Sequence, residues 1–361
     1  MICLRRPGPA VLDLHEFKPS SRLKASGGPP MTLPLINDYK TAMANAKARF
    51  ATLKVSPVLD SRRHPQFLAG NFACVFKASD QTGALLAIKC FTRDMPDLEK
   101  RYRALSRFIK AAHPASMVDL QYLPDELYTT SSVAAPGDYP VVVMPWLEGP
   151  TIGEATETLC RRDNRRGLAA LTRAWAKLCH DLLNRGIAHG DLKHDNVIIS
   201  QESKLKLIDY DSMYIDELKG LSSPLVGGIN FQHPLRNPGH FDATVDHVSI
   251  LVMLLSLRAL TFEPALLEAH NNGENLILTR DDFIAAERSE LISSLLKIPD
   301  FFVQDWTRQL VKVCNSKSIR IPGIKNIVSS AMKLDASPQE AGVKNLFSFL
   351  GSAIPSLNLG R

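Results

Sequence analysis

Dense basic clusters, paired cysteines and long apolar runs are all missing from this 361-residue sequence. Its six cysteines (Cys3, Cys74, Cys90, Cys160, Cys179, Cys314) are scattered, with no CxxC pair and no disulfide-dense spacing. A chain of this length has enough core without staples, so reduced thiols and a cytoplasmic setting are expected. No apolar run approaches the roughly 18–20 residues of a membrane span. The longest, Val248 to Leu257, is bounded by His247 and Arg258 and reads as a buried core helix, so no membrane partner is expected. The net charge is only +6, and half of that excess falls in residues 1–30, which hold Arg5, Arg6, Lys18, Arg22 and Lys24 against Asp13 and Glu16. A nucleic-acid surface shows a denser basic cluster, so no nucleic-acid partner is expected either. No internal repeat is present.

What remains is ordinary: 45% hydrophobic and 22% charged residues, a composition suited to one large two-lobed domain or two smaller ones. Residues 1–30 are rich in Pro, Gly and Ser and lack apolar periodicity, so they are expected to be a disordered extension, or a stretch ahead of a natural start at Met31. From Ile36 to Leu53 the pattern is helical, with Tyr39, Ala42, Met43, Ala46 and Phe50 near one face. This segment, residues 31–64, is expected to pack on a small lobe. The runs Phe72–Ala78, Leu85–Phe91 and Val141–Trp146 read as antiparallel strands, and Pro96–Ala112 as a helix with Leu98, Tyr102, Leu105 and Ile109 on one face. After Gly149 helical patterns dominate: Gly167–Arg185, Asp246–Leu260, Arg280–Leu296 and Asp300–Cys314. The spacing predicts an α+β chain with a small strand-rich lobe over residues 65–148, a larger helical lobe over 149–330 and a tail over 331–361.

The strongest chemical signal is His189-Gly190-Asp191-Leu192-Lys193-His194-Asp195-Asn196, followed by a short hairpin ending in Leu207-Ile208-Asp209-Tyr210-Asp211. A loop thus presents Asp191 and Asn196 five residues apart, and a hairpin brings in Asp209 eighteen residues after Asp191. Phosphoryl transfer needs a carboxylate near the attacking hydroxyl and oxygen ligands that hold Mg²⁺ against phosphates. Asp191 suits the first role, Asn196 and Asp209 the second, and Lys193 could reach the transferring group. The alternative is a surface loop with incidental acids. A transition-metal cluster of His189, Asp191, His194 and Asp209 fits less well than Mg²⁺ or Mn²⁺ on hard oxygen donors.

These motifs resemble HRDLxxxN and DFG of the protein-kinase-like superfamily, and the LKHDN, LIDYD and NFQHP pattern is similar to a group of divergent bacterial serine/threonine kinase-like proteins. The resemblance spans roughly residues 65–325. It implies a bilobal fold binding Mg·ATP between the lobes, with Asp191, Lys193 and Lys89 as catalytic residues and a protein substrate. Ala87-Ile88-Lys89 resembles the VAIK strand, implying that Lys89 holds the α- and β-phosphates. A lysine in so apolar a strand needs an acidic partner if buried. Glu99 is the first choice, with Asp97 and Asp94 behind it, although Glu99 equally suits a solvated first helical turn. Gly70-Asn71-Phe72-Ala73-Cys74-Val75 resembles the glycine loop with its middle glycine kept, implying that N–H groups of Gly70 to Ala73 cover the phosphates. By itself it reads as a hairpin turn. Met144 and Leu147 resemble the back of the adenine pocket and the hinge, which is also a core strand ending in a Gly turn. Asp246 resembles the aspartate that accepts N–H bonds from the catalytic loop, an N-cap being the alternative.

The sequence departs from the pattern at Gly190, where HRD has arginine, so no clamp for a phosphorylated activation loop is expected. Ser212, Tyr214, Ser222 and Ser223 nevertheless lie in that loop. Asp211 replaces the DFG glycine, and Gln232-His233-Pro234-Leu235 lacks the glutamate of APE and its anchor to a later arginine. HGD is also the form in aminoglycoside- and choline-type kinases. A small-molecule kinase and a nucleotide-binding pseudokinase scaffold therefore stand beside the protein-kinase reading.

Overall fold

Residues 32–334 are described by the computed structural model; the extension expected over 1–30 and most of the tail expected from 331 lie outside them. The chain opens with α1 (Ile36–Ala44) and α2 (Ala46–Arg49). One continuous helix to Leu53 was expected, but Asn45 leaves helical geometry (φ −111°, ψ 31°) and Phe50 is extended. Strands β1 (Ser56–Pro57), β2 (Phe67–Ala69), β3 (Ala73–Ser79) and β4 (Leu85–Phe91) follow, then α3 (Leu98–Ala112), β5 (Gln121–Thr129) and β6 (Gly137–Pro145). They form one antiparallel sheet in the order β1-β3-β4-β6-β5, with β2 also on β3. Because β1 pairs with β3, residues 31–64 supply a strand as well as helices, and the boundary expected at 65 does not part them from the sheet.

Strand register decides what each face carries, since residues directly opposite one another share a face. Val75 and Val142 lie opposite Lys89, and Met144 lies opposite Ala87. Four of the residues implied in nucleotide binding (Val75, Ala87, Lys89 and Met144) therefore share one face across three neighbouring strands. Tyr122, opposite Val142, stacks on Tyr102 of α3 at 6.2 Å between centroids, so α3 covers that same face. Cys74, Cys90 and Val141 occupy the other face with Tyr139, whose ring meets Tyr39 of α1 edge-on at 6.4 Å. The Tyr39 hydroxyl donates to the Phe91 carbonyl at 2.8 Å, tying α1 to the sheet.

The rest is largely helical: α4 (Ile152–Arg161), α5 (Arg165–Arg185), a hairpin of β7 (Val197–Ile199) and β8 (Leu205–Leu207), α6 (His247–Phe262), α7 (Ala265–His270), α8 (Arg280–Ile284), α9 (Glu290–Leu295), α10 (Phe301–Cys314) and α11 (Ile324–Met332). Helix α6 is apolar all round, and 13 of its 16 residues are buried, as expected of a central helix. It packs against α5, α10 and α11. The expected Arg280–Leu296 helix is divided because the Ser289 hydroxyl accepts from Ile292 N–H and donates to Asp282, starting α9 anew. The last helix runs to Met332, two residues past the lobe boundary expected at 330. The whole is α+β, and among the described residues no helix is long and apolar enough to cross a membrane.

Candidate active site

The loop between α5 and β7 is fixed from three sides. Ala188 and Tyr214 exchange backbone hydrogen bonds at 3.1 and 2.8 Å. The buried Asp246 carboxylate accepts from the N–H groups of His189 (2.5 Å) and Gly190 (2.9 Å), and it does not cap α6. His189 Nε2 lies 2.8 Å from the Ile208 carbonyl, joining the loop to the end of the β7–β8 hairpin. Gly190 has φ +79°, and a Cβ there would stand 2.2 Å from the Ser212 carbonyl oxygen. Glycine at this position thus has a backbone cause, and no side chain fits without moving Ser212.

Held this way, Asp191 is engaged at both carboxylate oxygens by its neighbours. Its Oδ1 accepts from Gly228 N–H at 2.7 Å, and its Oδ2 from Asn196 Nδ2 at 3.1 Å. Asn196 Nδ2 also donates to the Asp191 carbonyl at 2.8 Å, while Lys193 Nζ stands 3.8 Å from Oδ2. With its amide nitrogen committed to Asp191, Asn196 keeps its oxygen for another partner. Asp209 follows in a left-handed conformation (φ 61°, ψ 73°) uncommon for a residue with a side chain. That conformation directs the carboxylate towards β4.

There it meets Lys89, whose Nζ lies 2.6 Å from Asp209 Oδ1 and 2.7 Å from Asp211 Oδ2. Tyr102 donates its hydroxyl to Asp211 Oδ1. Burial alone would depress the Lys89 ammonium, but the two carboxylates overcome it and hold the pKa well above the usual lysine value. Burial likewise pushes Asp209 up, and Lys89 more than reverses this, to about 2. Asp211 remains above the ordinary carboxylate range because burial and the Asp209 charge outweigh Lys89. Two carboxylates against one ammonium favour a cation at the open side, where the Asp209 side chain is 41% exposed.

Glu99 is not the partner of Lys89. It lies on the outer face of α3, exposed, and pairs with Arg103 one turn on at 2.7 Å. The buried face of α3 presents Tyr102 instead. The glycine-loop expectation also changes: Gly70 N–H is committed to the Ala73 carbonyl at 2.9 Å, closing a hairpin turn with Asn71 and Phe72 at its tip. A Cβ on Gly70 would make only an ordinary 3.4 Å contact, so nothing there requires glycine. Among the described residues neither N–H nor C=O of Leu147 has a backbone partner. The segment 227–236 lacks the APE glutamate but is anchored otherwise, by His233 Nε2 on the Val313 carbonyl (2.9 Å) and Arg280 on the Pro234 carbonyl (3.2 Å).

The partners of three groups escaped the sequence reading, which placed Asp211 only as an added carboxylate near a metal. Asp211 stood in plain sight two residues past Asp209, and Tyr102 lay on the apolar face of its helix; neither spacing says that Asp211 meets Lys89 or that Tyr102 reaches Asp211. The Gly228 amide carries no side-chain signal beyond the Gly-Gly pair. No three His, Cys, Asp or Glu side chains converge as a metal cage among the described residues, so a transition-metal cluster finds no support. Compared with protein-family models and with curated proteins, the chain matches none.

Proposed function

We propose that this chain is an ATP-dependent phosphotransferase with the bilobal fold of the protein-kinase-like superfamily, moving the γ-phosphoryl group of Mg·ATP or Mn·ATP to a serine or threonine hydroxyl of a protein in the cytoplasm. The observation that carries this reading is that two pairs, Lys89 with Asp209 and Asp191 with Asn196, are linked through the Ile208 N–H, which donates to the Asn196 carbonyl at 3.0 Å. The donor set fits Mg²⁺, which binds through one or two protein oxygens and otherwise uses phosphate and water. Asp209 and Asn196 would hold the ion, which supplies charge neutralisation across the phosphates when bound.

The chain's own groups account for the rest. Val75, Ala87 and Met144 form the sheet surface for the adenine, and Leu147 offers its backbone to the ring edge. Lys89 carries positive charge to the phosphates, while Asn71 and Phe72 sit at the turn beside them. Asp191, aligned by Gly228 and Asn196, orients the acceptor hydroxyl and receives its proton as the new O–P bond forms and ADP departs. Lys193 steadies the charge on the transferring group.

An acceptor panel tests the reading. ATP with Mg²⁺ is offered with generic protein acceptors, aminoglycosides and small alcohols, and nucleotide binding is measured alongside. Transfer to protein is the expected result. Transfer only to a small alcohol would move the assignment to the small-molecule kinases that share the HGD form at Gly190. Nucleotide binding indifferent to Mg²⁺, with no transfer, would point to a scaffold.

A further inference from the structure

Lys89 is held by two carboxylates whose surroundings differ sharply. The Asp211 side chain is 5% exposed and both its oxygens are engaged, Oδ2 by Lys89 at 2.7 Å and Oδ1 by the Tyr102 hydroxyl. It has neither the room nor a free oxygen for a metal. The Asp209 side chain is 41% exposed and meets Lys89 through Oδ1 alone. Glu99, the acid on α3 best placed in sequence, is turned away onto Arg103. Burying the lysine therefore relies on these two groups, and only one of them can leave it.

We propose, resting on the phosphotransfer reading, that the two carboxylates divide the work: Asp211 is the resident counter-ion of Lys89, freeing Asp209 to exchange the lysine for the metal. An unpaired ammonium in the interior is strongly unfavourable, so Asp209 can turn towards a cation only if another carboxylate keeps the lysine charged and in place. Asp211 does so, and Tyr102 fixes the rotamer of Asp211. Tyr102 is itself clamped, its ring 5.7 Å from Phe91 and 6.2 Å from Tyr122. Helix α3 is thereby coupled to the lysine through a tyrosine hydroxyl and an aspartate borne on the metal-binding turn. Asp211 and Tyr102 are positioning residues, acting on substrate through Lys89 and Asp209.

The assignment predicts a competition that a merely structural role would not produce. In Asp211→Asn the lysine depends on Asp209 alone, and Mg²⁺ must displace it. ATP binding is measured by calorimetry across a Mg²⁺ series for wild type, Asp211→Asn and Tyr102→Phe, with circular dichroism as the check on folding. The Mg²⁺ concentration for half-maximal ATP binding should rise about five- to ten-fold in Asp211→Asn, the competing ion pair being partly open to water. Tyr102→Phe, which keeps the ring, should move it about two- to three-fold in the same direction, and this variant carries the test if Asp211→Asn fails to fold. Wild-type binding with an unmoved Mg²⁺ midpoint in the folded variants would overturn the division of labour and leave the phosphotransfer reading standing. Wild type that binds no ATP at any Mg²⁺ concentration would overturn both.

Discussion

Gly190 shows how a single position can look like a loss in sequence and prove to be a steric necessity. Its φ of +79° and the 2.2 Å approach of the Ser212 carbonyl to any Cβ leave no space for a side chain. Gly190→Ala should cost about 2–4 kcal/mol, from left-handed strain and the clash together, read as a lowered urea midpoint. Glu99 is the opposite case. Exposed and paired only with Arg103, it should tolerate Glu99→Gln with a stability change within about 0.5 kcal/mol by the same measurement. Asp191, Asn196 and Asp209 were legible because their spacing lies within one loop and one hairpin. The partner of Lys89 was not, because the pair closes over 120 residues and depends on which face of α3 turns inward.

Among the elements, α1 and α6 make opposite demands on their ends. Helix α1 is fastened by one buried hydroxyl, so Tyr39→Phe should cost about 1–3 kcal/mol in chemical denaturation by leaving the Phe91 carbonyl without that donor. At the start of α6, His247 Nδ1 accepts the Ile321 N–H at 3.1 Å, which only the unprotonated ring can do. Burial lowers its pKa to about 4, below the unfolded value. Its contribution is therefore complete above about pH 6.5 and is lost as pH falls towards 4, on the order of 3 kcal/mol. Urea unfolding at pH 7 and 4.5 should show a smaller acid loss in His247→Gln, whose amide oxygen accepts at either pH. Strongly periodic elements such as α3, α5, α6 and β4 were readable within a few residues. The β5 strand was not, because Pro124, Asp125 and a register shift between Leu123 and Leu127 break its alternation. The division of Arg280–Leu296 rests on a Ser289 side chain that periodicity does not see.

At the scale of the whole molecule, the sheet face bearing Lys89 and the loop bearing Asp191 come from separate halves of the sequence, and the proposed function depends on their meeting. The α+β character was legible from the change of pattern at Gly149. The meeting of Lys89 with Asp209 and Asp211 was not legible from spacing, since no local rule joins β4 to the turn after β8. The central claim is that Asp191 takes the acceptor proton in a transfer from ATP. The most direct measurement follows label from the γ-phosphate of ATP, with Mg²⁺ or Mn²⁺, in wild type and in Asp191→Asn. The account predicts label on a protein acceptor or on the chain itself, reduced by about 10²- to 10⁴-fold in the variant while ATP binding persists. Equal transfer by Asp191→Asn, or no transfer by wild type that binds ATP with either metal, would contradict it.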